Sequence, residues 1–155
     1  MKRIIALTSL MLAAIVLIGC PAQNGSQLQQ AATASENAAI IMQGFENAEI
    51  TAHTQGLIPD ADHQFIQKEV ATVAALGKTT DSCIAAAGTT GGAVSCLSTA
   101  ITEIDQINSD GGLYLKSASA KQDFSLAMTG IKTVLVSIET MLGTTPAVTP
   151  APVTQ

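Results

Sequence analysis

The sequence predicts an all-α protein folded as an antiparallel four-helix bundle, and two observations carry that prediction. Between Gln27 and Gly143 apolar residues recur in steps of three and four, the spacing that lines one face of an α-helix. Four such runs are separated by short segments marked by glycine, proline or aspartate, and short connections favour antiparallel neighbours. No strand is needed to account for the chain.

In the first run the stripe is Ala31, Ala34, Ala38, Ile41, Phe45, Ala48 and Ala52. Gly56 ends it, with Leu57 expected as the apolar partner of a glycine C-cap. Pro59 and Asp60 then supply start signals for a second helix, whose stripe is Ile66, Val70, Val73, Gly77, Thr80, Ile84 and Ala87. Gly77 costs about 1 kcal/mol relative to alanine and is expected to let a neighbour pack closely. A helix of roughly 28 residues is about 42 Å long, so the bundle should be slender. The segment Gly88 to Gly92 is expected to break the chain, and Val94, Leu97, Ile101 and Ile104 mark a shorter third helix that "NSDGG", Asn108 to Gly112, should stop. The fourth helix is expected to begin near Ser117 or Ser119, where "SAKQ" fits a capping box. Its stripe of Phe124, Met128, Ile131, Leu135, Ile138 and Leu142 is the cleanest heptad in the chain, and Gly143 closes it. Phe45, Phe65 and Phe124 fall on three different helices and read as core.

The N-terminus has a different character. In "MKRIIALTSLMLAAIVLIGC", Lys2 and Arg3 precede an uncharged apolar run from Ile4 to Ile18, and Gly19 leads into Cys20. That is the layout of a secretory signal, and the run is shorter than the roughly 20 residues a transmembrane helix needs. "LIGC", Leu17 to Cys20, resembles the lipobox of bacterial lipoproteins. The resemblance covers the first 20 residues only and implies diacylation of the Cys20 thiol, cleavage before Cys20 and anchoring by lipid. Several acyl chains, at about 0.8 kcal/mol for each buried methylene, hold a protein where one chain is marginal. Pro21 follows the cysteine, where aspartate is associated with inner-membrane retention in enteric bacteria, so the resemblance favours an outer-membrane location in a host that has one. The organisation expected is a signal peptide over 1–19, a lipidated tether over 20–26, the bundle over 27–143 and a disordered Pro/Thr-rich tail over 144–155.

Removing residues 1–19 would take away Lys2 and Arg3, leaving five lysines against twelve acidic residues and moving the net charge from −5 to −7. Arg3 is the one arginine of the chain, so a mature form would have no guanidinium fork for phosphate. The acidic balance, the absence of tryptophan and a single tyrosine argue against nucleic-acid binding. The expected partners are a membrane, through the lipid, and another envelope protein.

"CIAAAGTTGGAVSC", Cys83 to Cys96, sets two cysteines symmetrically about a glycine-rich turn. An antiparallel hairpin folding at "GTTG" brings the thiols level, with Cys83 beside Thr80, Ile84 and Ala87 and Cys96 beside Leu97 and Ala100. In an oxidising compartment this argues for a structural disulfide. Closing a loop of that size contributes about 3 kcal/mol in the chain-entropy account. The rival chemistries lack their parts: no histidine is near enough in sequence for zinc, no Cys-x-x-Cys is present, and "GTTGG" lacks the Gly-Lys-Ser/Thr ending of a phosphate loop. The three cysteines then divide into one for lipid and two for the staple.

His53 and His63 stand equally far from Ile58, at the first turn, with Glu49, Asp60 and Asp62 near in sequence. Two readings follow. The imidazoles are solvated and cap helix ends, or His53, His63, Asp60 and Asp62 hold a divalent metal. Met42 or Met128 with a histidine would suit haem ligation, but no Cys-x-x-Cys-His is present and stripe methionines belong to cores. No Gly-x-Ser-x-Gly elbow supports a serine nucleophile, and the scarcity of aromatic residues argues against a sugar cleft. The function expected is therefore that of a noncatalytic, cofactor-free structural or interaction module anchored in the cell envelope. The alternative is a small-ligand or metal-binding lipoprotein using the His53/His63 end.

Overall fold

The computed structural model describes residues 27–143, with side chains from Asn37 onward. The expected signal peptide, Cys20, the tether, the tail and the side chains of Ala31 and Ala34 lie outside the described residues. Four helices fill the described chain: α1 Gln27–Thr54, α2 Asp60–Ala87, α3 Thr90–Tyr114 and α4 Ala118–Gly143. No strand occurs among the described residues. Each helix packs on the next in sequence and α4 packs back on α1, closing an all-α bundle. The helices alternate in direction: Glu49 of α1 meets His63 and Gln67 of α2, Cys83 of α2 meets Cys96 of α3, and Asp105 of α3 meets Lys132 of α4.

Local chemistry explains each turn. At the end of α1 the Leu57 amide donates to the Ala52 carbonyl and the Gly56 amide to that of His53, at 2.9 and 2.8 Å. This is a Schellman motif, and Gly56 supplies its left-handed residue at φ +72°. Leu57 does not pack as the motif's apolar partner. It is 62% exposed, and Ile58 turns inward in its place. The second break is shorter than the expected Gly88 to Gly92, because Gly91 and Gly92 are already helical. Gly88 ends α2 at φ +63°, and Thr89 caps α3 by accepting from the Gly92 amide at 3.2 Å.

"NSDGG" does not stop α3, which continues through it to Tyr114 and is 25 residues long. The reason is tertiary. A side chain on Gly111 would overlap the Phe124 ring of α4, so the glycine admits the ring to the helix backbone. Two helical glycines cost about 1 kcal/mol each, and burying a phenylalanine returns about 2–3 kcal/mol. The Leu115 amide reaches back to the Gly111 carbonyl, and Leu115 itself is buried. Ser117 rather than Ser119 caps α4: its Oγ accepts from the Ala120 amide at 3.4 Å and contacts Ser119 Oγ at 2.8 Å, so the Ser119 capping box does not form.

The core follows the predicted stripes most closely in α4, where Phe124, Met128, Ile131, Leu135, Ile138 and Leu142 are all buried. Among the described residues only α4 has the length and apolarity to cross a membrane, and here its stripe is covered by α1 and α3. Phe45 and Phe65 both approach Phe124 with ring centroids 6.0 Å away, joining three helices at one aromatic cluster. Gly77 brings no neighbour close, contrary to expectation: nothing lies within 4 Å of the position a side chain there would take.

Candidate functional site

The α1–α2 turn and the α3–α4 turn lie at the same end of the bundle, and this end gathers most of the polar chemistry. His53, in the last turn of α1, and His63, in the first turn of α2, stack face to face with centroids 3.9 Å apart and planes within 6°. The antiparallel hairpin does bring the two imidazoles together. His53 Nε2 lies 2.9 Å from Asp60 Oδ1 and His63 Nδ1 lies 2.8 Å from Glu49 Oε1. Gln67 Nε2 donates to the other Glu49 oxygen at 2.8 Å. Glu49 is only 3% exposed, so both its oxygens exchange water for protein donors, as a buried carboxylate must. Asp60 is almost fully exposed, and its contact with His53 is correspondingly weak.

Asp62 plays a different part from the one its position suggested. It is buried, and its two oxygens accept the backbone amides of Lys116 and Ser117 at 2.8 and 2.7 Å. One side chain of α2 therefore fixes the α3–α4 turn, 54 residues away. Of the four metal-ligand candidates, His53, His63 and Asp60 come together and Asp62 is committed elsewhere. No group of three or more His, Cys, Asp or Glu side chains arranged for a metal occurs among the described residues. Imidazole lone pairs lie in the ring planes, and two parallel planes 3.9 Å apart do not aim both at one ion about 2.1 Å from each nitrogen.

At the opposite end the sulfurs of Cys83 and Cys96 lie 1.96 Å apart, at disulfide distance, with Cα atoms separated by 5.9 Å. Cys96 is buried and Cys83 sits exposed at the rim of a shallow groove of about 480 Å³ between α2 and α3. Small residues such as Thr79, Ala86, Ser95 and Thr99 line that groove. A second shallow groove, about 440 Å³, runs between α3 and α4 past the Asp105–Lys132 ion pair. Asn108 Oδ1 is buried there without a hydrogen-bond partner. Glu69 is also buried, with Lys68 Nζ 3.0 Å from it. Partial desolvation at the surface pushes the Asp123 carboxyl above its ordinary value.

Charge divides the two ends. Residues 46–69 and 110–123 hold seven carboxylates against three lysines, whereas the other end, residues 27–41, 74–102 and 136–143, holds Glu36, Asp81 and Glu139 against Lys78. The residues the sequence reading missed, Glu49 as a buried hub and Asp62 as a remote cap, are acidic positions one helical turn from buried apolar ones. That offset from the stripe was the available signal, since Glu49 follows Phe45 by four and Asp62 precedes Ile66 by four. Comparison of the chain with protein-family models, with curated proteins and with solved structures gave no significant match.

Proposed function

We propose that the protein is a membrane-anchored bacterial lipoprotein whose acidic helical bundle is a noncatalytic structural or interaction module. The observation that carries this reading is "LIGC" at Leu17 to Cys20 behind the apolar run that starts at Ile4, with Lys2 and Arg3 ahead of it. The cysteine pair supports it. Export places Cys83 and Cys96 where a disulfide persists, and their sulfurs stand at bonding distance. The host-facing assignment is an envelope location, the outer membrane where one exists, with the lipid as anchor and an envelope protein as partner. The test is Cys20→Ala expressed beside the wild type with radiolabelled palmitate. The wild type should take up label and sediment with membranes, and the variant should do neither. Equal labelling, or a wild type that stays soluble and keeps residues 1–19, contradicts the reading.

A second reading, a small ligand or divalent ion at the His53/His63 end, draws on the 3.9 Å approach of the two rings beside Asp60 and Glu49. A metal there has to unstack the rings. Zinc titration by calorimetry separates the two readings. Heat that disappears in the His53→Ala/His63→Ala variant favours the metal, and no heat removes it.

A further inference from the structure

We propose that the lipid-anchored protein stands on the bilayer on its cysteine-hairpin end, with the stacked histidines and the acidic turns pointing away from the membrane. The inference rests on the lipoprotein reading and adds an orientation and a membrane-facing surface to it. Two independent observations carry it.

The first is chain topology. The antiparallel pairing of α1 with α2 puts Gln27, where α1 begins, at the end of the bundle that carries Cys83, Cys96 and the α2–α3 turn. The pairing of α4 with α3 puts Gly143 at that end as well. Six residues, Pro21 to Ser26, separate Cys20 from Gln27. Covalent geometry limits that connection to about 25 Å even when fully drawn out. The 28 residues of α1 rise about 42 Å, so the tether cannot carry its attachment point as far from the bilayer as the bundle is long.

The second is charge. A bundle tethered at one end can still tip over, and bacterial bilayers carry anionic headgroups that repel like charge at short range. The cysteine-hairpin end is rich in threonine, serine, alanine and glycine and holds three carboxylates, Glu36, Asp81 and Glu139, against Lys78, a net charge of −2. The opposite end holds seven carboxylates against Lys68, Lys116 and Lys121, a net charge of −4, with Asp60, Asp123, Glu46 and Asp110 reaching the surface. Tipping would press the acidic end onto the headgroups, so electrostatics favour the upright arrangement that the tether begins.

The experiment uses the full acylated protein in vesicles of phosphatidylethanolamine and phosphatidylglycerol that contain a headgroup-linked energy acceptor. A single donor dye is attached without reductant to Leu57→Cys, at the α1–α2 turn, or to Gly143→Cys, at the end of α4. Both positions are exposed, and nothing stands within 4 Å of a side chain at Gly143. Transfer from position 143 should exceed that from position 57 at least twofold, and the ratio should fall when phosphatidylglycerol is replaced by a neutral lipid. Equal or reversed transfer in vesicles that float with the protein overturns the orientation while leaving the anchor intact. Failure of the acylated protein to float removes the anchor itself and the orientation with it.

Discussion

The two ends of the bundle are held by different means. At the histidine end Phe45, Phe65 and Phe124 meet, Gly111 admits the Phe124 ring to the α3 backbone, and Asp62 ties the α3–α4 turn to α2. At the cysteine end Leu97, Ile138 and Leu142 are buried while Leu76, Ile84, Val94, Ile101 and Met141 are partly so, and small side chains dominate the α2–α3 face. There the paired cysteines join a core that holds no aromatic ring. A disulfide stabilises without needing large side chains, mainly by constraining the unfolded chain.

That contrast can be broken from either side. Phe124→Ala removes the ring that three helices share and should cost about 4 kcal/mol, read as a lowered midpoint in urea unfolding. Replacing Cys83 and Cys96 together by serine should cost about 3 kcal/mol, and the variant's unfolding should become insensitive to reductant. A wild type equally insensitive to reductant would show that no covalent link is present.

A pair of glycines sharpens the same comparison. Gly111→Ala drives a methyl into the Phe124 ring and should destabilise by about 2 kcal/mol, although alanine is the better helix former. Gly77→Ala meets nothing and should stabilise by about 1 kcal/mol from helix propensity alone. Identical signs for the two substitutions would show that propensity, not the aromatic cluster, governs both positions. The smallest effect concerns Asp123, which reaches the surface but whose carboxyl is raised by partial desolvation. A carboxyl with a raised folded value favours folding when protonated, so its contribution is present below the unfolded value of 3.8 and is lost as pH rises through the folded one. Asp123→Asn should therefore raise stability slightly at neutral pH and leave it unchanged in strong acid, as followed by thermal unfolding across pH.

The helices were legible where side-chain period and burial coincide. All six α4 stripe positions are buried, and the cysteine pair meets because equal distances from a turn in an antiparallel hairpin become equal heights. Legibility failed where the deciding partner is remote in sequence. Gly111 and Gly112 read as a stop because their local propensity is poor, yet the ring that requires the space at Gly111 comes from another helix. Asp62 was legible only as a candidate metal ligand and Glu49 only as a neighbour of the histidines, whereas the amides of Lys116 and Ser117, and His63 with Gln67, make their burial tolerable. The meeting of His53 and His63 was legible from symmetry about Ile58. The parallel stacking that turns their nitrogens to carboxylates rather than to one ion was not, because it depends on ring rotations that spacing does not encode.

The proposed export joins these threads, since it would supply both the enzymes that acylate Cys20 and an oxidising space in which Cys83 and Cys96 stay linked. Intact-mass measurement of the protein isolated from its native envelope, alkylated with and without reduction, tests that most directly. The account predicts a chain beginning at an acylated Cys20 that takes up no alkyl group until reduced and two afterwards. A chain that retains residues 1–19, carries no acyl mass and is alkylated at Cys83 and Cys96 without reduction would contradict it.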